Sequence, residues 1–272
     1  MLRRAAFAAI AAASLSLASA HASHQAGGAV PAQADLRPIT IVVDGVERTG
    51  LLYAPPGAAS RKAPVVFVFH GHGGTAANIA RGFALHRHWP EAMVVYLQGL
   101  PTPGRLTDPT GLRAGWQAGA GDQGDRDLKL FDAVLARLTR EFTIEPTRVF
   151  ATGHSNGGGF TYLLWARRGD RLAAVAPSAA AAIQLLKQLQ PKPAMHLAGH
   201  KDPLVRFDWQ RQTMDGIRRL NGCASTGTSW APLATIYPSA PGTPCVEYIH
   251  PGGHQYPADA PALIAKFFRE LR

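Results

Sequence analysis

Apolar residues recur along this chain in two periods, and the alternation between those periods predicts its architecture. Val65 to Phe69, Met93 to Leu97, Val149 to Ala151, Leu172 to Ala176 and Ala194 to Ala198 are continuous apolar runs. Such runs suit strands buried on both faces of a parallel sheet. Between them lie helical spacings, clearest where Leu128, Phe131, Leu135, Leu138 and Phe142 share one face, with Asp125 as the expected cap and Pro146 beyond the end. Ile39 to Val43 and Val46 to Tyr53 flank Asp44-Gly45, a strong hairpin signal that predicts an antiparallel edge. A strand Val246 to His250 and a helix from about Asp259 to Leu271 close the chain. The fold class expected is α/β: a mostly parallel, doubly wound sheet with an antiparallel N-terminal hairpin.

Two stretches fit neither period. Gln98 to Gly124 is rich in Gly and Pro, and Asn221 to Pro244 is studded with turn residues. Long irregular segments in such a domain commonly shape a binding site, so specificity is expected from both.

The N-terminus reads differently from the rest. Arg3 and Arg4 precede a nearly all-apolar stretch from Ala5 to Leu17, and Ala18-Ser19-Ala20 offers small residues for cleavage. Residues 1–20 are expected to be a signal peptide, 21–36 a flexible N-terminus and 37–272 one catalytic domain. No other segment reaches the roughly 18 apolar residues of a membrane span. The expected location is therefore periplasmic or secreted. In that setting Cys223 and Cys245, the only two cysteines, are expected to form a disulfide, worth roughly 3 kcal/mol in the chain-entropy model.

The full chain carries a formal charge of +10; without Arg3 and Arg4, 26 basic residues face 18 acidic ones. The basic residues are scattered, with nothing longer than pairs such as Arg167-Arg168 and Arg218-Arg219, and no basic stripe is interleaved with aromatics. That pattern argues against a nucleic-acid partner.

The segment Gly153-His154-Ser155-Asn156-Gly157 stands between a strand-like run ending at Ala151 and a helix-like run, Phe160 to Trp165, that stops at Gly169. A serine at the tip of a strand-to-helix elbow takes strained backbone angles and leaves no room for side chains two residues away on either side. This is the setting of a serine nucleophile. Such a serine needs a base, and the base needs a carboxylate. Asp202, just after the Ala194 to Ala198 run, fits the acid better than Asp208. His254, in Pro251-Gly252-Gly253-His254, fits the base better than His196, His200 or His250. The order Ser155, Asp202, His254, with each after a strand, is that of α/β-hydrolases. Backbone donors for a developing oxyanion are expected from Asn156 and from His72, in the glycine-rich run His70 to Gly74. A metal pair at His70 and His72 is the competing reading, disfavoured by the flanking glycines. No metal or organic cofactor is implied.

His70-Gly71-His72-Gly73-Gly74, Gly115 to Gly119, Gly153 to Gly158, Gly199 through Asp202 to Val205, Asn221-Gly222-Cys223 and Gly252-Gly253-His254 follow one another in this order. Together they resemble the polyhydroxybutyrate depolymerase and feruloyl esterase group of exported α/β-hydrolases. The resemblance implies ester hydrolysis by Ser155, Asp202 and His254 on small or oligomeric esters: hydroxyalkanoate oligomers, feruloyl esters or other aryl and alkyl esters. Ala120 to Gln123 replaces cysteines that many relatives carry, and a polymer-binding domain is missing, which shifts the expectation from crystalline polymer to soluble substrates. Trp116 is a candidate for lining the acyl pocket or, equally, a core anchor. An acyltransferase or peptidase could use the same triad, and a non-catalytic binding protein could use the same scaffold.

Overall fold

The apolar runs become strands because sequence neighbours on a strand face opposite sides, and here both sides are covered by helices. The computed structural model describes residues 36–271. The expected signal peptide and residues 21–35 of the expected flexible stretch lie outside the described residues.

The chain opens with β1 (Arg37–Val43) and β2 (Val46–Tyr53), an antiparallel pair. Their turn has φ 50° at Asp44 and 79° at Gly45, the left-handed pair that matches strand twist. Next come β3 (Ala63–Phe69), α1 (Ala76–Phe83), α2 (Leu85–His88) and β4 (Met93–Leu97). The first irregular stretch contains only a two-stranded clip, β5 (Leu100–Pro101) against β6 (Ala114–Gly115). Then follow α3 (Arg126–Glu141), β7 (Ile144–His154), α4 (Asn156–Arg168), β8 (Ala174–Ser178), β9 (Ala194–Gly199) and α5 (Phe207–Leu220). The second stretch holds β10 (Thr228–Ala231) and β11 (Ala234–Tyr237), and β12 (Cys245–His250) and α6 (Ala260–Glu270) complete the chain.

One ten-stranded sheet runs β1-β2-β4-β3-β7-β8-β9-β12-β11-β10. Its centre, β4 to β12, is parallel. Both margins are antiparallel, because β10 and β11 form a second hairpin beside β12. On β3, Val65, Phe67 and Phe69 join the core under α3, α4 and Trp116, while Val66 and Val68 join the one under α1 and α6. At the edges, Arg137 of α3 donates to Thr40 O of β1 (2.8 Å), and Lys266 of α6 donates to Trp230 O of β10 (3.1 Å).

The chain moves from β3 outward to β4, then returns through α3 to β7 on the other side of β3. The loops leaving β3 and β7 therefore diverge at the carboxyl ends of adjacent strands, where open α/β sheets leave a crevice for ligands.

Three expectations change here. Asp125 occupies the N-cap position of α3 without capping it; its carboxylate accepts from Gly121 N and Gln117 Nε2. The Gln117 side chain does the capping, with Oε1 accepting from Asp127 N and Leu128 N. Cys223 and Cys245 are free thiols, not a disulfide. They lie within hydrogen-bonding reach of each other, which lowers the Cys223 thiol to about 7 and raises that of Cys245; the Cys245 sulfur also accepts from Asn221 Nδ2. Lastly, the stretch from Asn221 to Pro244 is a sheet extension and not a loop over the crevice.

Candidate active site

Ser155 stands between the last residue of β7 and the first of α4, with φ 56° and ψ −120°. Holding a residue with a side chain in that region costs about 1–3 kcal/mol. Close packing enforces it: a side chain on Gly153 would meet the Gly157 carbonyl, and one on Gly157 would meet the carbonyls of Phe69 and His70. Ser155 N donates to Ser178 O at 2.9 Å, and Gly159 N returns to Ser155 O at 2.9 Å to start the helix.

The other two members arrive from the ends of β9 and β12. Gly199 permits this approach, since a side chain there would collide with the Gly253 carbonyl. The two loops are laced together by His200 N to His250 O (2.8 Å) and Lys201 N to Gly252 O (2.9 Å). His254 Nδ1 lies 2.8 Å from Asp202 Oδ2, and His254 Nε2 lies 2.7 Å from Ser155 Oγ. An ionised carboxylate only accepts, so Nδ1 carries the ring proton and Nε2 is free to take one from the hydroxyl. None of the competing side chains reaches the serine. Asp208 is exposed beside Arg206, His200 packs on Phe207, His250 Nδ1 accepts from Gly252 N, and His196 is buried in β9.

Asp202 is buried and its acceptors are filled. Oδ1 takes Leu204 N and Val205 N, both at 2.9 Å. Oδ2 takes Gln210 Nε2 at 3.2 Å in addition to the histidine. The same Gln210 nitrogen donates to Val205 O (2.7 Å), so its oxygen must face His196 Nε2 at 3.1 Å. His196 then donates there and accepts from the Tyr162 hydroxyl through Nδ1. Tyr162, His196, Gln210 and Asp202 thus form a buried chain of fixed polarity ending on the acid. Burial lowers His196 to about 4 and keeps it neutral. His154, whose ring lies 5.1 Å from that of His254, is also lowered to about 4, by burial first and then by His254 itself. A neutral neighbour adds no charge against an imidazolium at His254. No sequence spacing announces this chain, whose members come from α4, β9 and α5.

His72 and Asn156 line the same crevice as Ser155. Among the described residues no backbone carbonyl pairs with the N–H of either, and Asn156 N lies at the positive end of α4. The Gly71 backbone passes close to Ser155, about 3.5 Å separating a side chain built there from Ser155 Cβ. The imidazoles of His70 and His72 have separate partners. His70 Nε2 accepts from Gly99 N and its Nδ1 donates to Gly71 O, whereas His72 Nε2 donates to Asp108 Oδ2 at 2.9 Å. Asp108 also accepts from Leu112 N and Arg113 N, so the loop from Gly104 to Arg113 hangs from His72. These bonds, that from His72 foremost, hold the Asp108 carboxyl well below the usual range.

Trp116 corrects the expectation of a substrate contact. It is fully buried, packs on Phe69 and Phe160 and donates from Nε1 to His70 O at 2.8 Å. The indole is too deep in the core under β3 to face the crevice. Its backbone serves the site instead: Trp116 N donates to Asn156 Oδ1 (2.7 Å), and Asn156 Nδ2 returns to Trp116 O (3.1 Å). Asp127, buried and paired with Arg48 at 2.7 Å, accepts from Gln117 N and fixes the next residue.

Beside Ser155 opens a cavity of about 720 Å³. It is bounded by His72, the loop from Pro103 to Thr107, Gln117 to Ala120, one face of α4, the segment from Ala180 to Gln188, and Leu204, Val205 and Trp209.

Solved structures share this fold. A solved ferulic acid esterase superposes with a TM-score of 0.63 over 87% of this chain and 98% of its own, at 14% identity. This is the α/β-hydrolase fold. By sequence, the chain is similar to the protein named "Putative esterase NocK" of Nocardia uniformis subsp. tsuyamanensis, 32% identical over 179 residues. That match covers 62% of this chain and 49% of the relative. It is also similar to "Probable feruloyl esterase C" of Aspergillus terreus, at 25% identity over 65% of this chain and 63% of the relative. The chain therefore spans about half to three-fifths of the length of these relatives. No family model matches it. Among the described residues no helix is long and apolar enough to cross a membrane, and no three His, Cys, Asp or Glu side chains converge as a metal site.

Proposed function

We propose that the protein is a serine-dependent carboxylic-ester hydrolase working through an acyl-enzyme. The observation that carries this reading is the continuous chain from Ser155 through His254 to Asp202, with hydrogen bonds of 2.7 and 2.8 Å, opening onto a cavity of about 720 Å³. Ser155 Oγ attacks the ester carbonyl while His254 Nε2 takes its proton. The backbone N–H groups of His72 and Asn156 receive the negative charge that develops on the carbonyl oxygen. His254 then protonates the departing alcohol, and water repeats the sequence on the acyl-serine. Asp202 keeps the imidazole in the required tautomer throughout.

The likeness to esterases and feruloyl esterases supports small esters as substrates, feruloyl and other aryl or alkyl esters among them; hydroxyalkanoate oligomers rest on the resemblance of the sequence motifs alone. The charged and then apolar N-terminal sequence supports action in the periplasm or outside the cell. The test is hydrolysis of p-nitrophenyl acyl esters, methyl ferulate and soluble 3-hydroxybutyrate oligomers by the protein and by Ser155→Ala. We expect turnover to fall by about four orders of magnitude or more in the variant, with unchanged circular dichroism. Full activity in Ser155→Ala would overturn the mechanism, and an absence of hydrolysis on every ester would overturn the class.

A further inference from the structure

A second set of hydrogen bonds, made behind the acid, ties the triad to the fold. Asp202 accepts four donors: the backbone N–H groups of Leu204 and Val205 on Oδ1, and His254 and Gln210 on Oδ2. Among the described residues, Gln210 is thus the one side chain besides the base that donates to this carboxylate. Its orientation is settled, because Nε2 faces two acceptors, Asp202 Oδ2 and Val205 O, while Oε1 faces His196 Nε2.

Every link behind Asp202 donates in the same direction. The Tyr162 hydroxyl donates to His196 Nδ1, His196 Nε2 to Gln210 Oε1, and Gln210 Nε2 to Asp202. Donors in series polarise one another where water is excluded, and Tyr162, His196 and Gln210 are 0%, 3% and 0% exposed. Tyr162 belongs to α4, the helix that begins directly after Ser155, and lies about 10 Å along it from the serine. The bonds therefore close a circuit: Ser155, His254, Asp202, Gln210, His196, Tyr162, and back along α4 to the nucleophile.

Resting on the serine-esterase reading above, we propose that Gln210 is a positioning residue for the reaction: as the last donor of this chain it aims Asp202 at His254 and draws charge from the carboxylate. A hydrogen bond to the ionised form of an acid disperses its charge. The carboxylate then attracts an imidazolium less, and the neutral imidazole that accepts the Ser155 proton persists to lower pH. The ionisable groups that face the acid, the base and the chain from other positions are His154 of β7, Arg211 of α5, Cys245, Glu247 and His250 of β12, and Asp259 beyond it. Burial lowers both His154 and His250, and Glu247 is held by Arg211 and Arg218. None of these groups donates to Asp202. The alternative role for the chain is a bridge between α4, β9 and α5 that serves folding alone.

The experiment records kcat/KM on p-nitrophenyl acetate against pH for the wild type, Gln210→Met, Gln210→Glu and Tyr162→Phe, because the acid limb of kcat/KM reports the base of the free enzyme. Gln210→Met removes the donor. Its limb is expected about half a pH unit higher, so that its loss at acid pH exceeds its loss on the plateau by about threefold. Gln210→Glu keeps the shape and the acceptor for His196 but turns a second carboxyl toward Asp202. Its limb should rise further, since added negative charge favours the imidazolium. Tyr162→Phe removes only the far end of the chain and should shift the limb the same way by less. A bridge that serves folding alone would lower kcat/KM by one factor at every pH. Limbs that coincide with the wild type in the folded variants would therefore overturn the proposal, as would a shift to lower pH. Should Gln210→Met fail to fold by circular dichroism, Gln210→Glu and Tyr162→Phe decide on the same terms. A wild type that neither hydrolyses the ester nor labels at Ser155 with a fluorophosphonate would overturn the esterase reading itself, and this proposal with it.

Discussion

The two stretches that follow neither hydrophobic period, Gln98 to Gly124 and Asn221 to Pro244, are similar in composition and opposite in use. The first supplies Pro103 to Thr107 and Gln117 to Ala120 to the cavity, whereas no residue of the second lines it. The difference lies in what each buries. The first sends Trp116, Gln117 and Asp108 inward, where they bond to His70, α3 and His72. The second spends its backbone groups on strand pairing beside β12 and on contacts at Asn221, whose carbonyl accepts from Ser239 and Thr243 side chains. A stretch rich in turns becomes part of a site when side chains fix it to the ends of the central strands. When its own backbone pairs, it becomes more sheet.

Truncation gives the largest expected contrast. Trp116→Ala removes a fully buried indole and its bond to His70 O, and should cost about 3–5 kcal/mol in urea unfolding. It should also lower kcat, because the Asn156 anchor moves with it. Trp230, at the opposite margin, rests on Lys266 and Phe267; Trp230→Ala should reduce stability without changing kcat/KM on any ester. A kinetic defect in that variant would show that the second stretch communicates with the site after all.

Acid titration contrasts sheet and loop. His196 titrates near 4 in the folded protein and near 6.5 when unfolded. The unfolded chain therefore binds more protons between these values, so stability falls as pH drops from about 6.5 to about 4, by on the order of 3 kcal/mol for this group. Asp108 is lowered too, by the hydrogen bonds to its charged form, but its window lies at more acid pH. Its contribution is present above the ordinary carboxylate range and is lost only as pH falls through its lowered value, so its bond to His72 outlasts the loss in the sheet. Unfolding curves at pH 7.5 and 4.5 should show this slope, flattened in His196→Gln. An unchanged slope would remove His196 from the account.

Smaller effects separate holding from catalysing. Asp108→Ala frees the loop from Gly104 to Arg113 and should lower kcat/KM by about tenfold, with only a small change in the urea midpoint of unfolding. Cys223→Ser, in the second stretch, should change stability by less than about 1 kcal/mol and leave ester kinetics untouched.

How much could be read from sequence follows the same division. The central strands, the elbow at Ser155 and the order of Asp202 and His254 are local patterns of apolar period and glycine spacing. Their geometry follows from where parallel strands end. The cap on α3 comes from Gln117, about ten residues before the bonds it makes, so Asp125 was the natural local candidate and the wrong one. The links from Tyr162 through His196 to Gln210 depend on three elements meeting, and no window of sequence contains them. β10 and β11 escape detection because each has four residues, only partly buried, and their turn is built on Leu233 at φ 60°, a residue that carries no turn signal. Trp116 was open to two readings, and only its depth beneath β3 separates them.

The cations placed on the outermost carbonyls bear on solubility. An open sheet ends in strands whose unpaired groups invite another chain to add itself. Here Arg137 occupies a carbonyl of β1 and Lys266 one of β10, so an incoming strand must displace a charged partner at either margin before it can pair. A sheet ten strands wide thereby resists growing an eleventh, and neutral replacements at Arg137 and Lys266 would leave the fold in place while opening it to association edge to edge.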